Sequence, residues 1–328
     1  MESEGRAISK SCIQIGTRES QLAMVQAVFV QSLLKSKYPH ITFACKGMTT
    51  TGDQILDVPL SAIGEKALFT KELEVALAEK EVDLVVHSLK DMPTTLPTGM
   101  LLTAILERHD PSDVVVMSIK NQGKTLNDLP DGSIIGTSSV RRSAQLKRAF
   151  GNLKFKDIRG NLNTRLAKLD APESPFSAIL LAYAGISRLG WCHRISEVLQ
   201  PEVMLHAVGQ GALGIECRAD DLEIIELLKV LNHVDTELRC LAERGFMRTL
   251  EGGCSVPLGV YSEISANVLN LTGSVTSLDG FQQLKHKLSS KLAETYDEMR
   301  LQAELLGTDL AQELLRQGAR KMLDAIKK

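Results

Sequence analysis

The first two-thirds of the chain alternates short apolar runs with amphipathic helical stretches, in two successive sets. Few folds tolerate that pattern. A crossover between parallel strands needs room for a helix, and helices on both faces of a sheet make its strands continuous apolar runs. In the first set, Cys12 to Ile15 reads as a strand, and Ser20 to about Lys35 as a helix with Leu22, Val25, Phe29 and Leu33 on one face. Ile41 to Cys45 is a second strand. Thr70 is placed to cap a further helix that turns Leu73 and Leu77 inward. Val82 to His87 is a buried strand, after which Pro93 and Pro97 break the pattern. The second set has strands at Val114 to Val116, Ile134 to Ile135, Phe155 to Ile158 and Ala178 to Ala182. Its helices are Ser139 to Phe150, Asn163 to Leu169 and Ile186 to Leu189. Ala212 to Cys217 adds a strand and Leu222 to Leu231 a helix. The tail then changes character. A helix near Thr236 to Leu250 precedes strands at Val256 to Tyr261, Val268 to Thr272 and Lys285 to Leu288, and a helix from about Asp309 to Lys327 closes the chain. The expected class is α/β, two doubly wound domains followed by a smaller α+β domain.

Bulk properties narrow the function. The 328 residues suffice for two or three domains with real cores. Aromatic residues are only 4% and the net charge is −2, so neither base-stacking platforms nor a global field for polyanions is expected. No apolar run approaches the ~20 residues of a membrane span. Met1 to Ser11 lacks the apolar core of a secretory signal. Six scattered cysteines, with no Cys-x-x-Cys pair or Cys/His cluster, read as a reduced cytosolic chain without a zinc site.

Three strand-to-helix junctions share one design: Ile15-Gly16-Thr17-Arg18-Glu19-Ser20, Ile135-Gly136-Thr137-Ser138-Ser139-Val140-Arg141-Arg142 and Ile158-Arg159-Gly160-Asn161-Leu162-Asn163-Thr164-Arg165. Each sets glycine and small polar residues where a helix begins. Exposed N–H groups and a partial positive charge there favour anions. Each adds arginine, whose planar fork grips a carboxylate with two hydrogen bonds. Hydroxyls that merely cap helices, beside solvated arginines, are the plain alternative for any one junction. A cation at a helix N-terminus opposes the macrodipole, so Arg18, Arg141 and Arg142 look misplaced unless an anion sits among them. The sequence therefore points to a ligand with several negative groups.

The strand Val82 to His87 runs into Ser88-Leu89-Lys90-Asp91-Met92-Pro93. Ligands of open α/β sheets bind beyond the carboxyl ends of strands, which is where Lys90 and Asp91 fall. Asp91 there serves as acid, base or stabiliser of a developing cation; a solvated Lys-Asp turn is the alternative. His87 reads as a packed strand residue. Lys66, Phe69, Thr70 and Lys71 follow Gly64 in a cationic loop suited to a lid. Gly252-Gly253-Cys254-Ser255 bares a thiol in a glycine-hinged loop, with Arg244 and Arg248 nearby to favour its thiolate; an inert cysteine beside a tight turn is the alternative. Gly209-Gln210-Gly211-Ala212-Leu213-Gly214 matches a dinucleotide fingerprint, but Ile215-Glu216-Cys217 continues as strand where that fingerprint needs a helix. Its glycines are better suited to a crossing between domains.

Together these segments resemble the porphobilinogen deaminase (hydroxymethylbilane synthase) family. The matching stretches are Ile15 to Ala23, Thr50 to Asp53, Ile63 to Leu73, Val82 to Pro93, Gly136 to Leu146, Ile158 to Arg165, Ala207 to Gly214 and Glu243 to Pro257. The resemblance implies a transferase of haem biosynthesis that joins four porphobilinogen molecules head to tail, releasing ammonia each time and then linear hydroxymethylbilane. It implies a dipyrromethane cofactor attached as a thioether to Cys254, and no metal. Arg18, Arg141, Arg142, Arg159, Arg165 and Arg188 would offset ring carboxylates, with Ser20, Ser138 and Ser139 as neutral donors. Lys66, Phe69, Thr137, Gln210 and Gly211 complete the implied binding set. Asp91, with Lys90, would stabilise positive charge and move protons. The implied domains are 10–110 with 208–230, which carries Asp91 on the wall of the catalytic cleft, then 111–207, which is arginine-rich, and 231–328, which carries the cysteine loop; the first two resemble type II periplasmic binding proteins. A cytoplasmic monomer working without nucleic acid or membrane is expected. The rival reading is a non-catalytic, two-lobed anion-binding protein.

Overall fold

The computed structural model describes residues 8–54, 68–251 and 256–326. The chain divides into two compact units. One takes the N-terminal segment, the stretch up to His109 and Ala212–Glu237; the other takes Asp110–Gly211 and the chain from Leu238 onward.

The first unit is built on strands β1 (Cys12–Arg18), β2 (Thr42–Met48), β3 (Leu84–Ser88), β4 (Met100–Ile105) and β10 (Leu213–Arg218), ordered β2-β1-β3-β10-β4. β1 runs parallel to β2 and β3, whereas β10 is antiparallel to both of its neighbours. Period-two alternation decides what each face buries. Ile13, Ile15, Leu84, Val86 and Ile215 pack against helices α1 (Gln21–Lys37) and α7 (Leu222–Leu228). On the opposite face, Val82 and Val85 meet Leu73, Ala76 and Leu77 of α3 (Lys71–Ala78).

Several elements differ from the sequence reading. The buried face of α1 is Ala23, Gln26, Ala27, Val30 and Leu34, one position round from the expected one, and Val25 and Phe29 are exposed. Small Ala23 and Ala27 let the helix lie close to the sheet, so the larger residues are not the inward ones. Thr70 stands at the N-cap of α3 without a side-chain cap bond. Strand β4, absent from the reading, follows Gly99 in the left-handed region (φ 85°) and is an edge strand with little apolar alternation.

The second unit holds a sheet ordered β7-β6-β8-β5-β9: β5 (Asp113–Met117), β6 (Ile134–Gly136), β7 (Lys154–Lys156), β8 (Ala178–Ala182) and β9 (Glu197–Val198). In β5, Val115 and Met117 face the core that includes Leu146 of α4 (Val140–Ala149). Val114 and Val116 face the core of α5 (Leu162–Asp170) and α6 (Tyr183–Arg188). The same unit contains an antiparallel sheet, β11 (Leu258–Ser265), β12 (Val268–Thr276) and β13 (Gln283–Lys291). It packs on α8 (Val234–Thr249) and α9 (Tyr296–Arg316) around fully buried Phe246. The expected closing helix begins thirteen residues earlier than read, at Tyr296, and breaks at Gly318 (φ 105°) before α10 (Ala319–Ile326). The helices α8 and α9 cross with no room for side chains: a Cβ at Gly307 would lie 2.0 Å from the Ala242 carbonyl oxygen, and one at Gly245 2.7 Å from that of Glu304.

Candidate active site

In the first unit, the end of β3 passes into a single 3-10 turn, Leu89–Asp91, whose Leu89 N–H donates to the Ala212 carbonyl at 3.0 Å. The turn sets half-buried Asp91 at a small recess that Arg18, Phe69, His87 and Ser88 also line. Lys90 precedes Asp91 in the same turn. Arg18, at the end of β1, is held from two sides. Its Nε donates to Asp53 Oδ2 at 3.0 Å and its Nη2 to Asp53 Oδ1, while its guanidinium lies 4.3 Å from the Phe69 ring centre. Burial disfavours the Asp53 carboxylate, but Arg18 and the Thr50 hydroxyl (2.8 Å) outweigh it and hold the carboxyl below its usual range. The Thr50-Thr51-Gly52-Asp53 motif gains a physical reason here. A Cβ at Gly52 would lie 2.3 Å from the Phe69 ring, so only glycine lets that ring sit under Arg18. Ser20 caps α1 by accepting from the Ala23 N–H at 3.4 Å. Lys66 lies outside the described residues.

In the second unit, Arg141 and Arg142, which the sequence reading sets around an anion at the start of α4, are 5% and 6% exposed, and both meet Asp113, which is fully buried at the start of β5. Arg141 Nη1 reaches Asp113 Oδ2 at 2.6 Å and the Leu205 carbonyl at 2.8 Å. Arg142 donates from Nε to Asp113 Oδ1 at 2.9 Å, with Nη2 2.8 Å from the same oxygen as an ion pair, and from Nη1 to the Leu180 carbonyl at 2.9 Å. Burial opposes ionisation of Asp113, yet the two arginines hold its carboxyl far below the usual range. The anion inferred among misplaced cations thus exists, and it belongs to the chain itself, as Asp53 does for Arg18. The group of two arginines and one aspartate still carries one net positive charge. Gln210 joins it, donating to Asp113 Oδ1 at 3.0 Å and to the Pro111 carbonyl at 2.6 Å, so its amide is a strap on the crossover segment.

The remaining residues of that unit gather at the neighbouring junctions. Ser139 caps α4 by accepting from the Arg142 N–H at 3.4 Å, and the Thr137 hydroxyl accepts from the Ser139 N–H at 3.2 Å. The Ser138 hydroxyl is tied to the Ile158 backbone at 3.1 Å. Arg165 Nε donates to the Gly160 carbonyl at 2.7 Å. Arg159 is 8% exposed, and burial pulls its pKa down. Arg188 is half-buried. Its Nη2 donates to the Gly211 carbonyl at 2.8 Å, it pairs with no carboxylate among the described residues, and burial pushes its pKa down to about 10. Gly209 and Gly211 both take positive φ, 69° and 88°, and the strand β10 that follows confirms that this stretch is no dinucleotide fingerprint.

Cys254 lies outside the described residues; α8 leads toward it and ends before Glu251 at φ 52°. Fully buried Glu243 on α8 ties that helix to the crossover, accepting from the Gly209 N–H at 2.8 Å and the Ser262 hydroxyl at 2.5 Å. Sequence reasoning passed over Asp113 and Glu243. The available signal was a lone acid at the head of an apolar strand and another within an apolar helix face, each needing a buried partner.

Residues 13–226 match the family model described as porphobilinogen deaminase, dipyromethane cofactor binding domain, and residues 237–316 match the porphobilinogen deaminase C-terminal domain. A porphobilinogen deaminase of Nostoc sp. is 51% identical over 97% of this chain and 95% of its own length. That of Gloeobacter violaceus is 54% identical over 95% and 93%. Among solved structures, the methionine binding protein MetQ superposes over 67% of this chain and 90% of its own, with 13% identity and a TM-score of 0.43. With both family models matched in order and half of all positions shared with these relatives over nearly their whole length, the chain belongs to the porphobilinogen deaminase family.

Proposed function

We infer that this chain is a transferase that condenses four porphobilinogen molecules head to tail, releases ammonia at each step, and frees linear hydroxymethylbilane by hydrolysis. The observation that carries this is the cofactor-domain match over residues 13–226, which encloses every residue given a binding or chemical role below except Cys254. The dipyrromethane cofactor, bound through a thioether to Cys254, would supply the pyrrole carbon that accepts the first ring, and each later ring would join the last ring of the growing chain.

The donor set suits such a group. Pyrrole rings with acetate and propionate arms need cations that the fold has not already neutralised. Arg188 is a half-buried cation given only a carbonyl among the described residues, and the Arg141–Arg142–Asp113 group retains one positive charge. Arg18, Arg159 and Arg165, with Ser20, Thr137, Ser138 and Ser139, would take the other carboxylates. Lys66 and Phe69 would cover them, and Gln210 and Gly211 would position Arg142 and Arg188 through the contacts described. Asp91 would sit by the pyrrole N–H groups, stabilise the cation that forms as ammonia leaves, and accept the proton lost on condensation, with Lys90 beside it. Cys254 is an anchor rather than a turnover nucleophile. The work would divide among three domains: 10–110 with 208–230, 111–207, and 231–328. We place the enzyme in the cytoplasm as a monomer acting on a small molecule, without nucleic acid or membrane; a net charge of −2 supports the second of these.

Intact-protein mass spectrometry tests the reading. The purified protein should weigh two linked pyrrole units more than its sequence, and Cys254→Ala should lack that excess. Substrate should then add mass in single-ring steps. An active Cys254→Ala protein without the adduct would overturn the assignment.

A further inference from the structure

A buried polar group lies behind the recess that holds Asp91. Strand β10 pairs with β3 so that Gly214 is opposite His87 and Glu216 opposite Val85. His87 and Glu216 are therefore diagonal neighbours on one face of the sheet. That face is otherwise packed with the apolar side chains of α3. His87 Nε2 meets Glu216 Oε2 at 2.8 Å, with the two side chains 3% and 0% exposed. Glu74 of α3 is buried with them, and Oε1 of Glu74 and Oε1 of Glu216 have no hydrogen-bond partner among the described residues. Burial pushes the Glu74 carboxyl up, and the Glu216 carboxylate adds to the shift. An apolar pair would fill this space at lower desolvation cost.

His87 also lines the recess with Asp91 and Arg18. Its Nε2 is engaged by Glu216, which leaves Nδ1 to serve the recess. The charged groups around the imidazole are Glu216 from β10, Glu74 from α3, Arg18 from β1 and Asp91 from the turn after β3; Arg18 is offset by Asp53. The recess, about 20 Å³, has room for one water, and His87 and Asp91 both line it.

We propose that His87, held by Glu216, is the station that returns Asp91 to its ionised form between condensations. This rests on the reading of Asp91 as the proton acceptor. In each condensation the C–N bond of the incoming porphobilinogen, its amine in the ammonium form, breaks and its electron pair leaves with ammonia, and a ring electron pair of the accepting pyrrole carbon forms the new C–C bond to the freed methylene carbon. A C–H bond of the accepting pyrrole carbon breaks, its pair returns to the ring, and the proton passes to Asp91. Four condensations require Asp91 to shed that proton four times. His87 takes it at Nδ1 and becomes an imidazolium paired with the Glu216 carboxylate. It then yields the proton to solvent, where ammonia takes it up as ammonium. His87 acts through Asp91 and touches no reacting atom.

The test uses holoenzyme, its adduct confirmed by mass. His87→Gln is expected to lose about tenfold or more in turnover near neutral pH, with the loss shrinking as pH rises and solvent base resets Asp91. In His87→Ala, added imidazole is expected to restore part of the rate. If His87→Gln fails to fold, Glu216→Gln keeps the shape and carries the same pH-rate comparison. A wild-type pH profile, or a loss that neither pH nor imidazole relieves, would overturn the proposal. A fully active Asp91→Asn protein would sink the underlying reading instead, whereas an inactive Asp91→Asn beside a wild-type-like His87→Gln would sink the proton station alone.

Discussion

Replacing Asp113 by Asn removes the carboxylate that faces both Arg141 and Arg142 while keeping its size. Asp113 is fully buried and accepts hydrogen bonds from both guanidinium groups and from Gln210. Stranding a buried charge by removing its partner costs ~3–5 kcal/mol. Asn retains one carbonyl acceptor, so the lower half of that range is expected. With ~2–4 °C lost per kcal/mol for a unit of about 200 residues, the melting transition should fall by roughly 6–15 °C. The effect should depend on pH. The folded carboxyl of Asp113 lies below its unfolded value near 4, so its contribution is fully present above that value and is lost as pH falls through it toward the folded pKa. Scanning calorimetry of wild type and Asp113→Asn should therefore show a wide gap at pH 7 that narrows in acid. Adding Arg142→Leu to Asp113→Asn should recover part of the loss, because one stranded cation is then gone. A melting temperature within about 2 °C of wild type at pH 7, the shift expected for under ~1 kcal/mol, would refute the claim that this carboxylate offsets the arginines.

Three further outcomes are expected. Asp91→Asn should melt like wild type yet lose ~10²–10³ in bilane formation, the usual loss for a charge stabiliser; wild-type turnover in the folded variant would remove Asp91 from the chemistry. Gly52→Ala should displace the Phe69 ring from under Arg18, a contact worth ~0.5–2 kcal/mol, and raise KM for porphobilinogen several-fold while the adduct remains; an unchanged KM would show that Arg18 needs no support from below. Arg188→Gln should leave thermal stability unchanged or slightly higher, since it removes a desolvated cation that pairs with no carboxylate among the described residues, and should slow elongation; a clear loss of stability with normal elongation would make Arg188 structural.

The sequence showed the core strands well because Val114 to Val116 and Ala178 to Ala182 are apolar enough to identify themselves. It showed the glycine-bearing junctions because capping hydroxyls and arginines are local signals. Asp113 was not legible, since its meaning depends on arginines 28 and 29 positions away that meet it only across the sheet. The buried face of α1 was misread for a related reason. Periodicity weighs Phe29 above Ala27, whereas the sheet admits the smaller residue. Strand β4 was missed although Met100–Ile105 is largely apolar, because the run shows no period-two alternation and follows Pro93 and Pro97, which break the pattern. His87 read correctly as a packed residue, but the diagonal Glu216 that changes its chemistry appears only once β10 is laid antiparallel beside β3.

The crossing of α8 and α9 works as a gauge of helix spacing. Gly245 and Gly307 bring the two backbones together where no side chain fits, so a methyl group at either position has to push the helices apart. Phe246 sits beside that contact in the core shared with β12, and its ring comes within 2.6 Å of where a Cβ on Gly273 would lie. Widening the crossing would therefore pull Phe246 away from the sheet, so one small residue sets both the helix spacing and the fit of the largest buried side chain.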